Sequence, residues 1–452
     1  MLDGLKDILC FSQFYKQRQQ RETSLTVSER VSFKGAMFRE HVYVKIIFIV
    51  SVLSISLSVI LLKRIRNHHE VISNTEPTYF SANKSLENQL KQRETKILIH
   101  TGPTDSSTIK SLKNKLKERE TTIKEIAEFK QNNPGVKQLP KVIGIGVKKC
   151  GTGGVISFLA NHHPLIKVPW QVQTETFFFG SSRTKGGPDA YRAFFPPTNS
   201  MELGMEKTPI YFVHSDLDIP SAIKNMVPEA KLLLIVCDPT KRTFSDYTHE
   251  RVRLDLYNDR LIAKYNTFED YVNEYLPKVQ RLLQKSQNNL TSYQDDLKTQ
   301  NMLIKLHSTD LAATLISTGL YIYHIQRWKK LYNESNLLII DGENFREDTG
   351  AVIENIQDFL GIPKLLWKED FVKNPDTGFY CFRKFTEKHL NESYVETEDE
   401  LKTSLKCLGK SKGRTRNGAK HASPETLERL KQFYKPYNEA FYREMGQTYK
   451  WL

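Results

Sequence analysis

The sequence predicts an α/β fold with a central, mostly parallel sheet flanked by helices. Two observations carry that expectation. Apolar runs at 141–147, 202–212, 231–237 and 337–341 alternate with helix-like patterns near 152–162, 217–227, 309–332 and 348–360. Strands that alternate with helices imply parallel pairing and a sheet covered on both faces. The second observation is the stretch GVKKCGTGG at 146–154, which joins the first strand to the first helix. Ligands of such folds bind at the carboxyl ends of the strands, where backbone N–H groups and a helix N-terminus face an anion.

In chain order, residues 1–41 read as a cytoplasmic tail. The run 46–62 is uncharged over 17 residues, roughly 26 Å as a helix and close to the thinner end of bilayer thickness. Val42, Tyr43, Val44 and a Lys45 able to snorkel extend it, so 42–62 reads as a transmembrane signal anchor. A cleaved signal peptide fits less well, because about forty residues precede the run and no small-x-small cleavage site follows it. Arg30, Lys34, Arg39 and Lys45 on one side balance Lys63, Arg64 and Arg66 on the other, so flanking charge does not orient the segment. The sequons at Asn83, Asn289, Asn333 and Asn391 all lie C-terminal to it and place that part in the secretory lumen. Cys10 then faces the cytosol, while Cys381 and Cys407 either bridge the loop between them or stay as two thiols.

Residues 63–139 read as a stem. LKQRET at 90–95 recurs as LKERET at 116–121, and Ile109, Leu112, Leu116, Ile123 and Ile126 keep heptad spacing that Arg119 interrupts. A short coiled coil, a spacer helix or a solvated linker all satisfy that pattern. The composition changes at Pro140, where the domain 140–452 begins. Within it, 250–306 is polar and reads as a helical insertion plus loop. The acidic stretch YVETEDE at 394–400 gives way to Lys402, Lys406, Lys410, Lys412, Arg414, Arg416 and Lys420, an arrangement suited to an anion-binding loop.

Apolar residues make up 39% of the chain and charged residues 26%, an ordinary globular balance, but the net charge is +14. That excess favours a polyanionic partner: nucleic acid, an anionic membrane, or a sulfated or phosphorylated polymer. A lumenal location argues against nucleic acid. The loop also departs from the nucleotide-hydrolase pattern, in which lysine follows the second glycine. Thr152 follows Gly151 here, and the lysines sit inside the loop at 148 and 149.

Read together, GVKKCGT, MEKTPIYF at 205–212, LLLIVCDPTKRTFSDY at 232–247 and GFYC…CLGKSKGR at 378–414 resemble the heparan sulfate glucosaminyl sulfotransferases over roughly 138–452. The resemblance implies a P-loop-like sulfotransferase fold and 3′-phosphoadenosine 5′-phosphosulfate as donor, with no metal required. It further implies heparan sulfate as acceptor and partner, and a single-pass type II protein of the Golgi membrane with its catalytic domain in the lumen. Lys149, Cys150, Gly151, Thr152 and Gly153 match the loop that cradles the 5′-phosphate, with Lys149 placed at the oxygen bridging phosphate and sulfonate. Glu175, in TETFFF at 174–179, matches the catalytic base, and Lys207 a second active-site lysine that touches acceptor and sulfonate. Cys237 and Ser245 match the 3′-phosphate motif, Phe379 and Tyr380 the aromatic pair beside adenine, and Lys412, Gly413 and Arg414 a basic loop closing over the donor. Cys381–Cys407 matches the disulfide anchoring that loop, while Lys148, Phe177, Lys207 and Arg414 match acceptor-binding positions.

Three positions depart from 3-O-sulfating relatives, which usually have arginine at the place of Gly153, arginine at Cys237 and histidine at Phe177. Each lost charge-assisted phosphate contact weakens the donor by about 1.5–3 kcal/mol unless Lys148, Lys241 or Arg242 substitutes. SDYT, EKTP and GFYC lean toward 3-O-sulfation of glucosamine, whereas CLGKSKGR and MGQTYKWL lean toward N-sulfation. A heparan-sulfate-binding protein without donor chemistry is the remaining alternative.

Overall fold

The computed structural model describes residues 106–451, apart from 170–173, 215–217, 258–261, 263, 287–296, 375, 392–396 and 410–421. The expected tail, the anchor at 42–62, and Asn83, Asn289, Lys412, Gly413 and Arg414 lie outside the described residues.

The strands that order the site are β1 (Val142–Gly146), β2 (Ile166–Lys167), β3 (Leu203–Lys207), β4 (Lys231–Val236) and β5 (Leu337–Asp341). They form one sheet in the order β2-β3-β1-β4-β5, and every pair is parallel. β1 is buried along its whole length, as is β4 after Lys231. Continuous apolar runs are what a sheet covered on both faces requires. The run expected at 202–212 ends as a strand at Lys207, because Pro209, two residues on, has no N–H to continue a ladder. β2, only two residues long, carries no pattern by which its sequence could announce it.

Helix α1 (Ser106–Asn132) falls inside the stretch read as stem, yet it packs on the body of the domain. Leu112 and Leu116 join Trp367, Phe385 and Leu390 in one apolar cluster, and Ile126 enters the main core. Arg119, the break in the heptads, is 3% exposed. Its guanidinium meets both carboxylate oxygens of Asp370 at 3.0 and 2.9 Å, donates to the Phe385 carbonyl, and lies 4.0 Å above the Trp367 ring. One guanidinium nitrogen shared by both oxygens of a buried carboxylate, with the other on a carbonyl, explains why a charged residue holds a core position.

Helix α2 (Thr152–His162) follows the glycine loop and α3 (Pro239–Tyr257) follows β4. The helical pattern expected at 309–332 is broken into short pieces before α4 (Tyr321–Lys329). Gly319 marks the break: a Cβ there would lie 2.8 Å from both Pro239 and the Tyr434 ring. Helix α5 (Gly342–Glu347) leaves β5 directly, and α6 (Pro424–Met445) closes the fold. The polar insertion is helical at Phe268–Ser286 and Leu297–Thr309. A separate antiparallel pair, β6 (Phe371–Lys373) and β7 (Tyr380–Phe382), carries the aromatic motif.

Candidate functional site

The carboxyl ends of β3, β1 and β4 are neighbours, so the three motifs read separately in the sequence converge on one edge of the sheet. Gly144 of β1 pairs with Lys207 of β3. A Cβ on Gly144 would stand 2.6 Å from the Lys207 Cβ, so glycine is what lets the lysine sit beside the loop.

The loop after β1 turns sharply. Val147 donates to the Ile235 carbonyl of β4 at 2.8 Å, and Lys149 and Gly151 both take left-handed backbone angles, φ 76° and 93°. Thr152, Gly153 and Gly154 form the first turn of α2; Gly154 N–H already donates to the Gly151 carbonyl at 2.9 Å, and the N–H groups of Thr152 and Gly153 stand ahead of the helical ladder. Phe345 of α5 packs beneath, 3.4 Å from where a Cβ on Gly151 would lie.

Lys148, expected to face the acceptor, points instead to α3, where its Nζ lies 2.8 Å from Asp246 and 2.7 Å from Glu250. Burial works to lower its pKa, but the two carboxylates outweigh burial and hold it above the ordinary lysine value. Asp246 shows the converse: burial alone would raise it, yet Lys148 and Arg242 hold it below the usual carboxylate range. Arg242, weighed as a substitute phosphate ligand, is 1% exposed and bonds Asp246 at 3.0 Å and the Leu315 carbonyl. Ser245 sits half-buried on α3 beside this network, and Lys241 stands more exposed, 3.7 Å from Asp238.

Cys150 and Cys237 form a disulfide with Cα atoms 5.3 Å apart, across 87 residues of sequence. The Tyr321 hydroxyl donates to the Cys237 carbonyl at 2.8 Å and lies 3.6 Å from Cys150 Sγ. Their sequence reading assigned them to donor contact without fixing their redox state. Each follows a strand end on the same side of the sheet, which is the signal that points to a bridge.

On the other side of the loop, Lys207 Nζ donates to Glu175 Oε1. The Lys207 side chain is 9% exposed and that of Glu175 30%. The segment carrying Glu175 is tied to β3 by Lys207 N–H to the Thr174 carbonyl at 2.9 Å. Its backbone is unusual, with φ 77° at Thr174 and 47° at Phe177. Fully buried Glu206 organises it. One carboxylate oxygen accepts from the Tyr191 and Tyr211 hydroxyls at 2.7 and 3.2 Å; the other accepts from the Thr208 hydroxyl at 2.9 Å and Thr176 N–H at 3.4 Å. The Tyr211 hydroxyl in turn accepts from Phe178 and Phe179 N–H, and Thr208 Oγ1 from Phe177 N–H. Burial raises the Glu206 pKa despite these bonds. Sequence reasoning passed over Glu206, although an acid between Met205 and Lys207 in an otherwise buried strand is a signal of such a network. Phe177, two residues after Glu175, is 41% exposed.

Phe379 and Tyr380 are half-buried at the β7 end, where the Tyr380 hydroxyl donates to the Glu347 carbonyl of α5 at 2.9 Å. Cys381 and Cys407 form the second disulfide. Phe382 and Lys406 exchange backbone hydrogen bonds of 3.1 and 2.7 Å beside it, so the segment leading to the basic stretch is fixed at its base. Asn333 and Asn391 are both exposed. Among the described residues, no group of three or more His, Cys, Asp and Glu side chains is arranged to hold a metal ion.

Comparison with known proteins agrees with this layout. Residues 139–448 match the sulfotransferase domain family model. Human heparan sulfate glucosamine 3-O-sulfotransferase 3B1 is 31% identical over 318 residues, 70% of this chain and 66% of its own length. The human 3A1 protein is 31% identical over 70% of this chain and 63% of its own length. Mouse heparan sulfate glucosamine 3-O-sulfotransferase 6 is 28% identical over 71% and 76%. The chain therefore spans just under two thirds of the first two relatives. With its parallel sheet, its glycine loop and a family match running from the first strand to the last helix, the chain belongs to the sulfotransferase domain family.

Proposed function

We propose that the protein transfers a sulfuryl group from 3′-phosphoadenosine 5′-phosphosulfate to the 3-hydroxyl of glucosamine residues in heparan sulfate. The observation that carries this reading is the Lys207–Glu175 pair at the end of β3, next to the phosphate-type loop of β1. The loop N–H groups and the α2 N-terminus hold the donor's 5′-phosphate. Lys149 neutralises charge that develops on the phosphate oxygen as the phosphate–sulfur bond breaks. Glu175 takes the proton of the attacking hydroxyl, and Lys207, which donates to that carboxylate, lies near the sulfonate. The products are the sulfated sugar, adenosine 3′,5′-bisphosphate and a proton on Glu175. Ser245 contributes toward the 3′-phosphate, Phe379 and Tyr380 toward adenine, and Lys412, Gly413 and Arg414 toward closing the site.

The relatives, named as heparan sulfate glucosamine 3-O-sulfotransferases, favour glucosamine and its 3-hydroxyl over N-sulfation. A net charge of +14 suits the polyanionic acceptor. Two disulfides support an oxidising compartment, in line with a Golgi lumenal domain behind an anchor at 42–62 and with glycans on the sequons. Incubation with labelled donor and heparan sulfate, followed by disaccharide analysis, tests the proposal. New sulfate at O3, abolished in Glu175→Gln, is expected. Transfer to nitrogen would move the protein to the N-sulfating class, and no transfer beside salt-sensitive heparin binding would leave a binding protein.

A further inference from the structure

The covalent bridge beneath the donor loop has no part in the transfer step, and its surroundings give it another role. We propose that the Cys150–Cys237 disulfide is a positioning crosslink that holds the loop in its phosphate-gripping shape, standing where relatives use an arginine. This rests on the donor-site reading above.

Three observations carry the inference. Cys150 lies between two left-handed residues, Lys149 at φ 76° and Gly151 at φ 93°. A lysine there is strained, and such a conformation persists only where neighbouring structure imposes it. The bridge pins the residue between them to the end of β4. The two cysteines are also enclosed, 4% and 8% exposed. Tyr321 bonds the Cys237 carbonyl from one side, and the β5–α5 junction presses from another. A Cβ on Gly342 would stand 2.9 Å from the Cys150 carbonyl oxygen and 3.2 Å from the Cys237 Cβ. Finally, two of the three cations that could have replaced an arginine are committed elsewhere, Lys148 to Asp246 and Glu250 and Arg242 to Asp246 and Leu315, while the third, Lys241, is exposed and lies 3.7 Å from Asp238. The site holds the phosphate by a preformed shape, and a loop that is already ordered loses less entropy on binding.

Calorimetry with adenosine 3′,5′-bisphosphate on the full chain tests this, together with steady-state transfer kinetics. In C150S/C237S the Kd for the bisphosphate and the KM for the donor are expected to rise about tenfold. The KM for heparan sulfate is expected to stay within twofold, a split from the donor constants that general destabilisation would not produce. C150A/C237A repeats the test without burying two hydroxyls. Binding within twofold of the parent in either folded variant overturns the proposal, as does a parallel rise in donor and acceptor constants. Should neither variant fold, partial reduction of the folded wild-type chain, with the open bridge located by mass spectrometry, reads the same quantity against the same limits. A wild-type chain that binds no bisphosphate overturns the donor-site reading, and this inference with it.

Discussion

The two flanks of the glycine loop are held by different physics. On the β4 and α3 side, the loop is fixed by a covalent bond and by a buried set of full charges, Lys148 and Arg242 against Asp246 and Glu250. On the β3 side, hydroxyls and backbone N–H groups converge on a single carboxylate, Glu206, and through it set the segment that carries Glu175. The first flank, on the proposed donor side, is thus a frame of paired, buried side chains crosslinked to the loop. The second, on the proposed acceptor side, is a hydrogen-bonded cradle with one carboxyl group at its centre. In the proposed reaction a nucleotide donor is the same in every turnover, whereas a polysaccharide must be placed against a base to a fraction of an ångström. The two constructions suit those tasks.

The sharpest way to separate the flanks is to remove the proposed base. Glu175→Gln is expected to lower kcat by roughly 10²–10⁴-fold, the range for a positioned general base. Binding of adenosine 3′,5′-bisphosphate is expected to stay within twofold, because Glu175 contacts Lys207 on the acceptor flank. Calorimetry beside the rate assay checks both. A comparable loss of nucleotide binding would join the two flanks into one unit.

The next effect lies on the donor flank. Lys148→Ala leaves Asp246 and Glu250 buried with a cation removed, and truncating one member of a buried charge set costs about 3 kcal/mol. Urea denaturation is expected to show that loss. If stability is unchanged, the charges are solvated and the frame is not ionic. The acceptor-flank counterpart is Glu206→Gln. Its amide group would face donors that now point at a carboxylate oxygen, and an unsatisfied buried group costs about 1–3 kcal/mol. The KM for heparan sulfate and kcat are expected to suffer while the bisphosphate Kd holds.

How much of this the sequence disclosed follows the same divide. The frame was legible: β1, β4, β5 and α2 are apolar runs bounded by glycine and proline, and periodicity is local information. Lys149, Glu175 and Lys207 came from motif order, not from spacing. What stayed hidden depends on distant partners. Arg119 looked like a fault in a heptad because its partner, Asp370, is 251 residues away. Glu206 sat inside a quoted motif, but its role exists only once Tyr191 and Tyr211 fold around it. Lys148 carries no local sign that α3 will present two acids to it, so its sequence alone suggests an acceptor-facing lysine. Gly319 interrupted an apparent long helix for a tertiary reason, the approach of Pro239 and Tyr434.

The smallest effect is also the most direct comparison of the flanks, because their acids shift in opposite directions. Asp246 is held below the usual carboxylate value, so its stabilisation is complete above the unfolded value of 3.8 and is lost as pH falls through the lower folded value. Lys148, held above 10.5, contributes fully below that value and loses its contribution as pH rises through the raised folded value. Between those limits neither Asp246 nor Lys148 makes stability depend on pH. Glu206 behaves otherwise. Burial raises its pKa, so the folded chain holds this proton more tightly than the unfolded chain from 4.5 upward. Its contribution to stability is greatest in acid and falls as pH rises through the folded value. The advantage of wild type over Glu206→Gln is therefore expected to shrink as pH rises from 4.5 and then to level, while Asp246→Asn differs in slope from wild type only in stronger acid. Urea midpoints measured at half-unit steps decide it. Parallel curves for wild type and Glu206→Gln from pH 4.5 to 8 would mean that Glu206 is ionised throughout, and the acceptor flank would then be an ionic frame like its neighbour.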